Sequence, residues 1–391
     1  MKCRIFYLAL VNLFILLMIG NHALYAQVPQ PADITGKTNA MSHEKKKASK
    51  DSTKAKSKGA FVPVPFIVTD QNFGYGAILA LGYMHANKNS DRKDTPPSVT
   101  GIAGGGTSTK SWTIGLMHSH SWNSDHLRYF GGLLYVNFNL DFYSIGSIDL
   151  SDHPIKIKIE GGGTMQRVTF RLKESNFFIG PQYTFAKVTA GIHKDQDFIF
   201  DRIDTLRLAI NGTQFISGIG LLFNFDSRDN TLSPNKGLYG GLEFNYNGQW
   251  MGSSSDYTET DIYFYAYLPI TNWLYSIYHF DAQSSGGDVP FYLKPFVELR
   301  GAPALRYQGN NTLLLEAQFR GYFYKEIALD VFGGIGNAFD SFSEFSSAQY
   351  VYNYGVGLRY ELKKAFGTRV GVDFAWANGQ FGWYIIIGTA I

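Results

Sequence analysis

A transmembrane antiparallel β-barrel of about sixteen strands, with one extracellular loop folded inward, is the all-β fold that this sequence predicts. Three observations predict it. The chain opens with an export signal. After it, no stretch reaches the ~18 continuous apolar residues of a membrane helix. Segments of about ten residues then alternate in polarity with period two, as membrane-barrel strands do. The alternation is plainest near the end. Tyr350, Tyr352, Tyr354, Val356, Leu358 and Tyr360 form one face, while Asn353, Gly355, Gly357 and Arg359 lie between them. Val370, Val372, Phe374 and Trp376 likewise enclose Gly371 and Asp373, with Arg369 just before.

Composition agrees with strands and tight turns. Of 391 residues 42 are Gly, 16% are aromatic and only 17% are charged. A net charge of +3 is too small to argue for a nucleic-acid partner, and none is expected. Residues 1–26 read as a signal peptide: Lys2 and Arg4, an apolar run from Ile5 to Ile19, then Ala23 to Ala26 before Gln27. The sole cysteine, Cys3, precedes the apolar run and leaves with the signal, so the mature chain forms no disulfide.

Residues 27–59 read as a disordered basic periplasmic linker, with Lys45, Lys46, Lys47, Lys50, Lys54, Lys56 and Lys58 and too few apolar residues to bury a core. The outer-membrane barrel is expected over 60–391. Its first strand, Phe61–Val68, contains Pro63 and Pro65. Each deletes a ladder donor, so this strand belongs at the seam with the last one. Further strands are expected near 73–86, 97–107, 111–121, 127–140, 155–172, 176–190 and 211–226. After a turn at 227–235 come 237–250, 257–268, 272–284, 312–321, 325–337, 350–362, 366–377 and 381–391. An even count puts both chain ends in the periplasm, with short turns there (173–175, 269–271, 322–324, 363–365). The long connections 141–154, 191–210, 285–311 and 338–349 then face outside. Trp112, Trp122, Trp250, Trp273, Trp376 and Trp383 fall near strand ends, where interfacial girdles belong.

Four pieces in the second half resemble the BamA/TamA superfamily, also called the bacterial surface antigen family. Asp226, Arg228, Asp229 and Asn230, with Pro234 and Gly237, look like its turn of the form D-x-R-D-N…P…G. Leu299-Arg300-Gly301 looks like its Arg-Gly signature in the sixth extracellular loop. Phe332–Asp340 and Tyr354–Arg359 look like the strands that follow. The resemblance spans about residues 211–391. It implies the barrel fold and a loop held in the lumen through an arginine–acid contact. Several departures stand against a wider transfer. The linker 27–59 is too short for even one POTRA domain, Ala302 replaces the usual aromatic after Arg-Gly, Gly334 replaces a common acidic residue, and Ile391 stands where barrel proteins typically end in an aromatic. Protein-insertion activity is therefore not implied.

Strand phase places Glu316, Gln318, Arg320, Glu326, Asp330, Arg359, Arg369 and Asp373 on the lumen face, where charges must be paired or wet. Arg300 offers a planar fork suited to Glu316, with Asp330 as the alternative partner. Arg300, Gly301, Glu316, Asp330, Arg359, Arg369 and Asp373 thus form the expected loop-anchoring cluster. His118 and His120 share a face with Trp112, Ile114, Leu116 and Trp122, the lipid side, so they are not read as metal ligands. No spacing among Glu243, Asp256 and Asp261 argues for catalysis. Neither G-x-S-x-G nor H-E-x-x-H occurs. No cofactor, metal or catalytic residue is expected. The favoured reading is a non-enzymatic channel, translocator or membrane-remodelling barrel with a plugged lumen. The alternative is an outer-membrane hydrolase of lipid or peptide with a rim site. Expected partners are the lipid bilayer and the barrel-assembly machinery that inserts the chain; homo-oligomerisation is left open.

Overall fold

The computed structural model describes residues 60–70, 72–85, 98–145, 148–149, 154–192, 212–230, 233–362 and 368–388. The signal segment 1–26 and the linker 27–59 lie outside the described residues. Sixteen strands follow one another in a single antiparallel sheet that rolls into a nearly closed barrel. They are β1 (Ala60–Asp70), β2 (Gly74–Met84), β3 (Val99–Thr107), β4 (Trp112–Trp122), β5 (Leu127–Phe142), β8 (Ile155–Arg171), β9 (Phe177–Ile192) and β10 (Gly212–Asp226). The second half comprises β11 (Gly237–Asn247), β12 (Tyr257–Pro269), β13 (Leu274–Gly287), β14 (Asn311–Tyr324), β15 (Ile327–Phe339), β16 (Tyr350–Leu362), β17 (Thr368–Ala377) and β18 (Gln380–Ile387). A separate two-residue pair, β6 (Ser144–Ile145) with β7 (Ile148–Asp149), decorates the connection between β5 and β8.

The period-two pattern sorts side chains as expected. On β16, Tyr352, Tyr354, Val356, Leu358 and Tyr360 are exposed on the outer wall, and Val351, Asn353 and Arg359 are buried inside. β5 and β8 reverse this near their long-loop ends. There Ile155, Ile157 and Ile159 are buried inside while Lys156 and Lys158 are exposed outside. That reversal suits strands standing clear of the bilayer around an apolar filling.

The filling is the connection 288–310. Tyr292, Leu293, Phe296 and Leu305 pack on the inner faces of β5, β8 and β9, against Phe138, Leu140, Ile157 and Val188 among others. Val297, Leu299 and Ala302 pack on Leu314, Val351 and Ala377. A single bridge, Phe296 to Gln308, folds the segment into a narrow tongue. Burying a large apolar side chain is worth about 1.5–3 kcal/mol. Six of them, from Tyr292 to Leu305, therefore form a stronger seat than one ion pair. The charges expected from the sequence to hold the loop are therefore joined by an apolar seat.

Connections at one end are short, as at 123–126, 270–273 and 325–326, and those at the other are long. Five depart from this: 85–98, whose middle lies outside the described residues, and the turn 227–236 are long at the short-turn end, while 71–73, 108–111 and 378–379 are short at the other. Glu326 sits in the two-residue turn before β15, not on a strand's inner face.

β1 and β18 lie side by side. Thr69 Oγ1 donates to the Trp383 carbonyl, and the Tyr75 and Trp383 rings are 6.4 Å apart. Among the described residues no ladder pair joins these two strands. Pro63 and Pro65 fit this edge, since neither has an N–H to offer. Amide exchange measured in detergent should therefore be faster in Phe61–Val68 than in the Asn353–Tyr360 part of β16, which is laddered on both sides. Equal protection of the two strands would remove the weak seam.

Candidate functional site

The inner faces of β14 to β17 carry a chain of alternating charges. Their register sets it up. Asp330 lies opposite Arg320 on one neighbour and Gly357 on the other, and Gly357 in turn lies opposite Asp373. Glycine leaves the room that the charges fill. A Cβ at Gly357 would stand 2.0 Å from Asp373 Oδ1. The same applies at Gly334, where a Cβ would come within 2.9 Å of Asn353 Oδ1 and 3.0 Å of Leu299 Cδ2. The place of the missing acid is thus taken by a loop leucine and by Asn353.

Arg300 enters this wall from the tongue. Its Nε and Nη2 lie 3.2 and 3.1 Å from the two Glu316 carboxylate oxygens, and Nη1 donates to Asp373 Oδ2 at 2.8 Å. Its guanidinium also stacks 3.4 Å over the Phe332 ring. Asn353 Nδ2 donates to the Arg300 carbonyl (3.1 Å) and to Glu316 Oε1 (2.8 Å), tying the loop backbone to the same carboxylate. Gly301 follows with φ +93°, its N–H donating to Tyr384 OH at 2.9 Å. A Cβ here would meet the Ala377 nitrogen at 2.9 Å, so glycine is demanded by both conformation and space.

Beyond Asp373 the chain continues. Arg359 Nη1 is 2.5 Å from Asp373 Oδ1, and Arg359 Nε is 3.1 Å from Asp330 Oδ2. Arg320 clasps Asp330 with two bonds of 2.8 Å, and Gln318 adds a third at 2.8 Å. Glu316, Arg300, Asp373, Arg359, Asp330 and Arg320 therefore alternate without a gap. Three cations balance three carboxylates, and Arg320, Arg359, Asp330 and Asp373 are no more than 1% exposed. Burial of such charges is tolerable because each is multiply paired.

Arg369, expected in this cluster, stands apart from it. It is four residues from Asp373 on β17, about 13 Å at the rise of a strand. Strand phase gives the face of a residue but not its height. Arg369 instead grips the 227–236 turn. Its backbone N–H donates to Ser233 Oγ (3.1 Å), and its guanidinium donates to the Pro234 carbonyl (3.4 Å), to Asn235 Oδ1 and to Tyr322 OH (2.7 Å). Tyr322 OH in turn donates a hydrogen bond to Glu361 Oε2 at 2.8 Å. Because β10 and β11 lie far from β17 in the sheet order, this turn reaches across the short-turn mouth of the barrel.

The turn's own residues shape it for that reach. Asp226 clasps Arg228 with two bonds of 2.9 Å, and the guanidinium lies 3.9 Å over the Tyr239 ring. Burial disfavours the Arg228 cation, but the hydrogen bonds and charge of Asp226 outweigh it and raise its pKa. Asp229 Oδ1 accepts from the Asn235 and Lys236 amides (3.0 and 3.2 Å), and Asn230 Oδ1 from Ser233 (3.1 Å). Gly237, at φ +111°, passes the chain where a Cβ would lie 2.4 Å from the Ser227 carbonyl. Pro234 contributes the carbonyl that Arg369 reads.

Residues 147–298 match the model of the Omp85 superfamily domain, a stretch that includes this turn and ends two residues before Arg300. The barrel is similar to that of BamA from Haemophilus ducreyi lacking POTRA domains 1–3 (TM-score 0.56, 13% identity), covering 85% of this chain and 70% of that one. It is also similar to CdiB from Escherichia coli (TM-score 0.54, 11% identity, 84% of this chain and 62% of that one). CdiB from Acinetobacter baumannii gives a TM-score of 0.52 at 7% identity, over 84% of this chain and 59% of that one. At these identities the likeness is one of fold. No curated protein sequence matches the chain.

Among the described residues no group of three or more His, Cys, Asp or Glu is arranged to hold a metal ion. The charge chain offers no nucleophile beside a base. What it can do is hold a loop.

Proposed function

We propose that this chain is a non-enzymatic outer-membrane channel or translocator whose lumen is closed at rest by its own chain at both ends. The extracellular closure is the tongue 288–310, and the periplasmic one is the turn 227–236. The observation that carries this reading is Arg300, a loop residue bound at once by Glu316 and Asp373 of the wall. An arginine so placed gives the loop one seated position and lets a change in the charge chain unseat it. The same reading puts residues 27–59 in the periplasm after loss of the signal 1–26. It makes the bilayer and the barrel-assembly machinery the chain's partners. The unladdered edge between β1 and β18 favours a second reading, a barrel that perturbs the lipid beside that edge.

Conductance in planar bilayers tests the first reading. The intact barrel should stay closed, and a chain with residues 291–308 replaced by a short Gly-Ser link should conduct. Adding Arg369→Ala to that deletion should widen the pore, because it frees the turn across the other mouth. Closed records from all three would defeat the proposal.

A further inference from the structure

The inner wall has a second charged region, away from the chain of charges that holds Arg300. We propose that the acidic inner face of β11 to β13 is a docking site for the chain's own lysine-rich segment, centred on Lys45–Lys50. The proposal rests on the reading above, with residues 27–59 in the periplasm and the lumen occupied by the chain itself. Glu243 on β11, Glu259 and Asp261 on β12 and Asp281 on β13 all take the inner face. No Lys or Arg occurs in these three strands. Asp261 stands directly opposite Glu243; Gln283 stands opposite Asp261, and Thr312 of β14 opposite Gln283. Like charges so opposed destabilise a strand pair, and a cation beside them relieves it. Arg167 of β8 is one such cation, its Nη2 donating to Glu243 Oε2 at 3.0 Å. Amides offset no charge, yet Asn247 donates to Glu259 Oε2 (3.4 Å) and Gln283 to Asp281 Oδ1 (2.8 Å). Thr312 Oγ1 ends the row. It is 4% exposed and makes no hydrogen bond among the described residues. The tongue's cations are engaged elsewhere: Arg300 with Glu316 and Asp373, Lys294 with Asp340 at 3.2 Å, and Arg306 over the Tyr143 ring at 4.9 Å.

Charge and reach identify the occupant. Lys45, Lys46, Lys47, Lys50, Lys54, Lys56 and Lys58 precede Ala60, where β1 begins at the short-turn end of the barrel. The ten to fifteen residues from Ala60 back to Lys50 and Lys45 can span at most about 35–50 Å. Asp261 is eight residues from Pro269, the short-turn end of β12. At about 3.3 Å per residue and a tilt of about 40°, it lies roughly 20 Å up the lumen. In the order of the sheet β12 stands across the barrel from β1, and Lys45 to Lys47 have the length to cross. A lysine brings a compact charge with three donors on a long stem. That suits carboxylates and a hydroxyl spread along one face better than a planar fork would. The tether also gives this segment an effective concentration that a free cation in the periplasm lacks.

Thiol accessibility of the full chain, purified in a zwitterionic detergent, tests the docking. Ser49→Cys places the reporter in a chain whose one native cysteine, Cys3, lies in the signal segment. Its maleimide labelling should be slow at low salt and about tenfold or more faster in about 1 M salt, where the screening length falls to about 3 Å. Glu259→Gln, Asp261→Asn and Asp281→Asn together, with folding checked by heat-modifiable migration, should give a like acceleration at low salt. If that triple variant does not fold, zero-length carbodiimide coupling in the unaltered chain decides. Lys45 to Lys50 should then form amide links with Glu259, Asp261 or Asp281. Labelling as fast with the acids present as without them, acceleration by salt but not by the triple variant, or links only to carboxylates outside β11 to β13 would each overturn the proposal. Conductance reads the other claim separately. A barrel that conducts at rest while Ser49→Cys is protected would defeat the closed lumen and leave the docking. A closed barrel with that thiol freely labelled would do the reverse.

Discussion

Arg300→Ala should loosen the tip of the loop without expelling the whole of it. Losing one member of a buried pair costs about 3–5 kcal/mol, against about 0–1 kcal/mol for a solvated one. Here the loss removes the contacts with Glu316 and Asp373 and the stack on Phe332. Glu316 keeps Asn353 and Asp373 keeps Arg359, so neither carboxylate is abandoned. The apolar limb from Tyr292 to Val297 also stays seated on β5, β8, β14 and β16. Limited proteolysis should therefore become faster at Ala302–Gln308 and stay slow near Tyr292–Phe296. Arg300→Lys should behave like the alanine variant, because an ammonium cannot span two carboxylates as the planar fork does. Proteolysis at Ala302–Gln308 unchanged in Arg300→Ala would leave the arginine without a holding role.

How much of this arrangement can be read from the sequence follows from what period two encodes. Alternation fixes which face each residue takes, so the inward placement of Glu316, Asp330, Arg359 and Asp373 is legible. The Arg300–Glu316 contact is legible too, since Glu316 begins the strand that the loop enters and its carboxylate matches the fork. Height and register are not encoded in the same way. Asp373 is 73 residues from Arg300 and meets it only because four strands align. The same gap put Arg369 into the wrong group. The apolar seat did leave a signal: β5 is apolar on both faces from Leu133 to Val136, and Ile155, Ile157 and Ile159 alternate with lysines that cannot face lipid. A strand with two apolar faces asks for a cover on each. The turn 227–236 gave motif residues but no hint that its tip crosses the mouth, because only the closed sheet brings Pro234 to Arg369.

Arg359→Met should destabilise the barrel wall itself rather than the loop. Arg359 bridges Asp330 and Asp373 and is 1% exposed, so its removal leaves the six-membered chain with one excess buried negative charge. The cost should again be about 3–5 kcal/mol, read as a lower urea midpoint for loss of the heat-modifiable folded form. Asp373→Asn alone leaves one excess positive charge and should also destabilise. Together the two changes restore neutrality, with Glu316 facing Arg300 and Asp330 facing Arg320 as two separate pairs. The double variant should therefore be less destabilised than the sum of the singles, by a coupling of about 0.5–3 kcal/mol. Simple additivity would mean that the charges act as independent contacts and not as one balanced chain. The comparison also separates wall from loop. Arg300→Ala with Asp373→Asn restores only the count of charges: Glu316 keeps Asn353 but no cation, while Arg320 and Arg359 both face Asp330. Wall stability should therefore recover less in that pair of changes than in the Arg359–Asp373 pair, and protease access at Ala302–Gln308 should stay high.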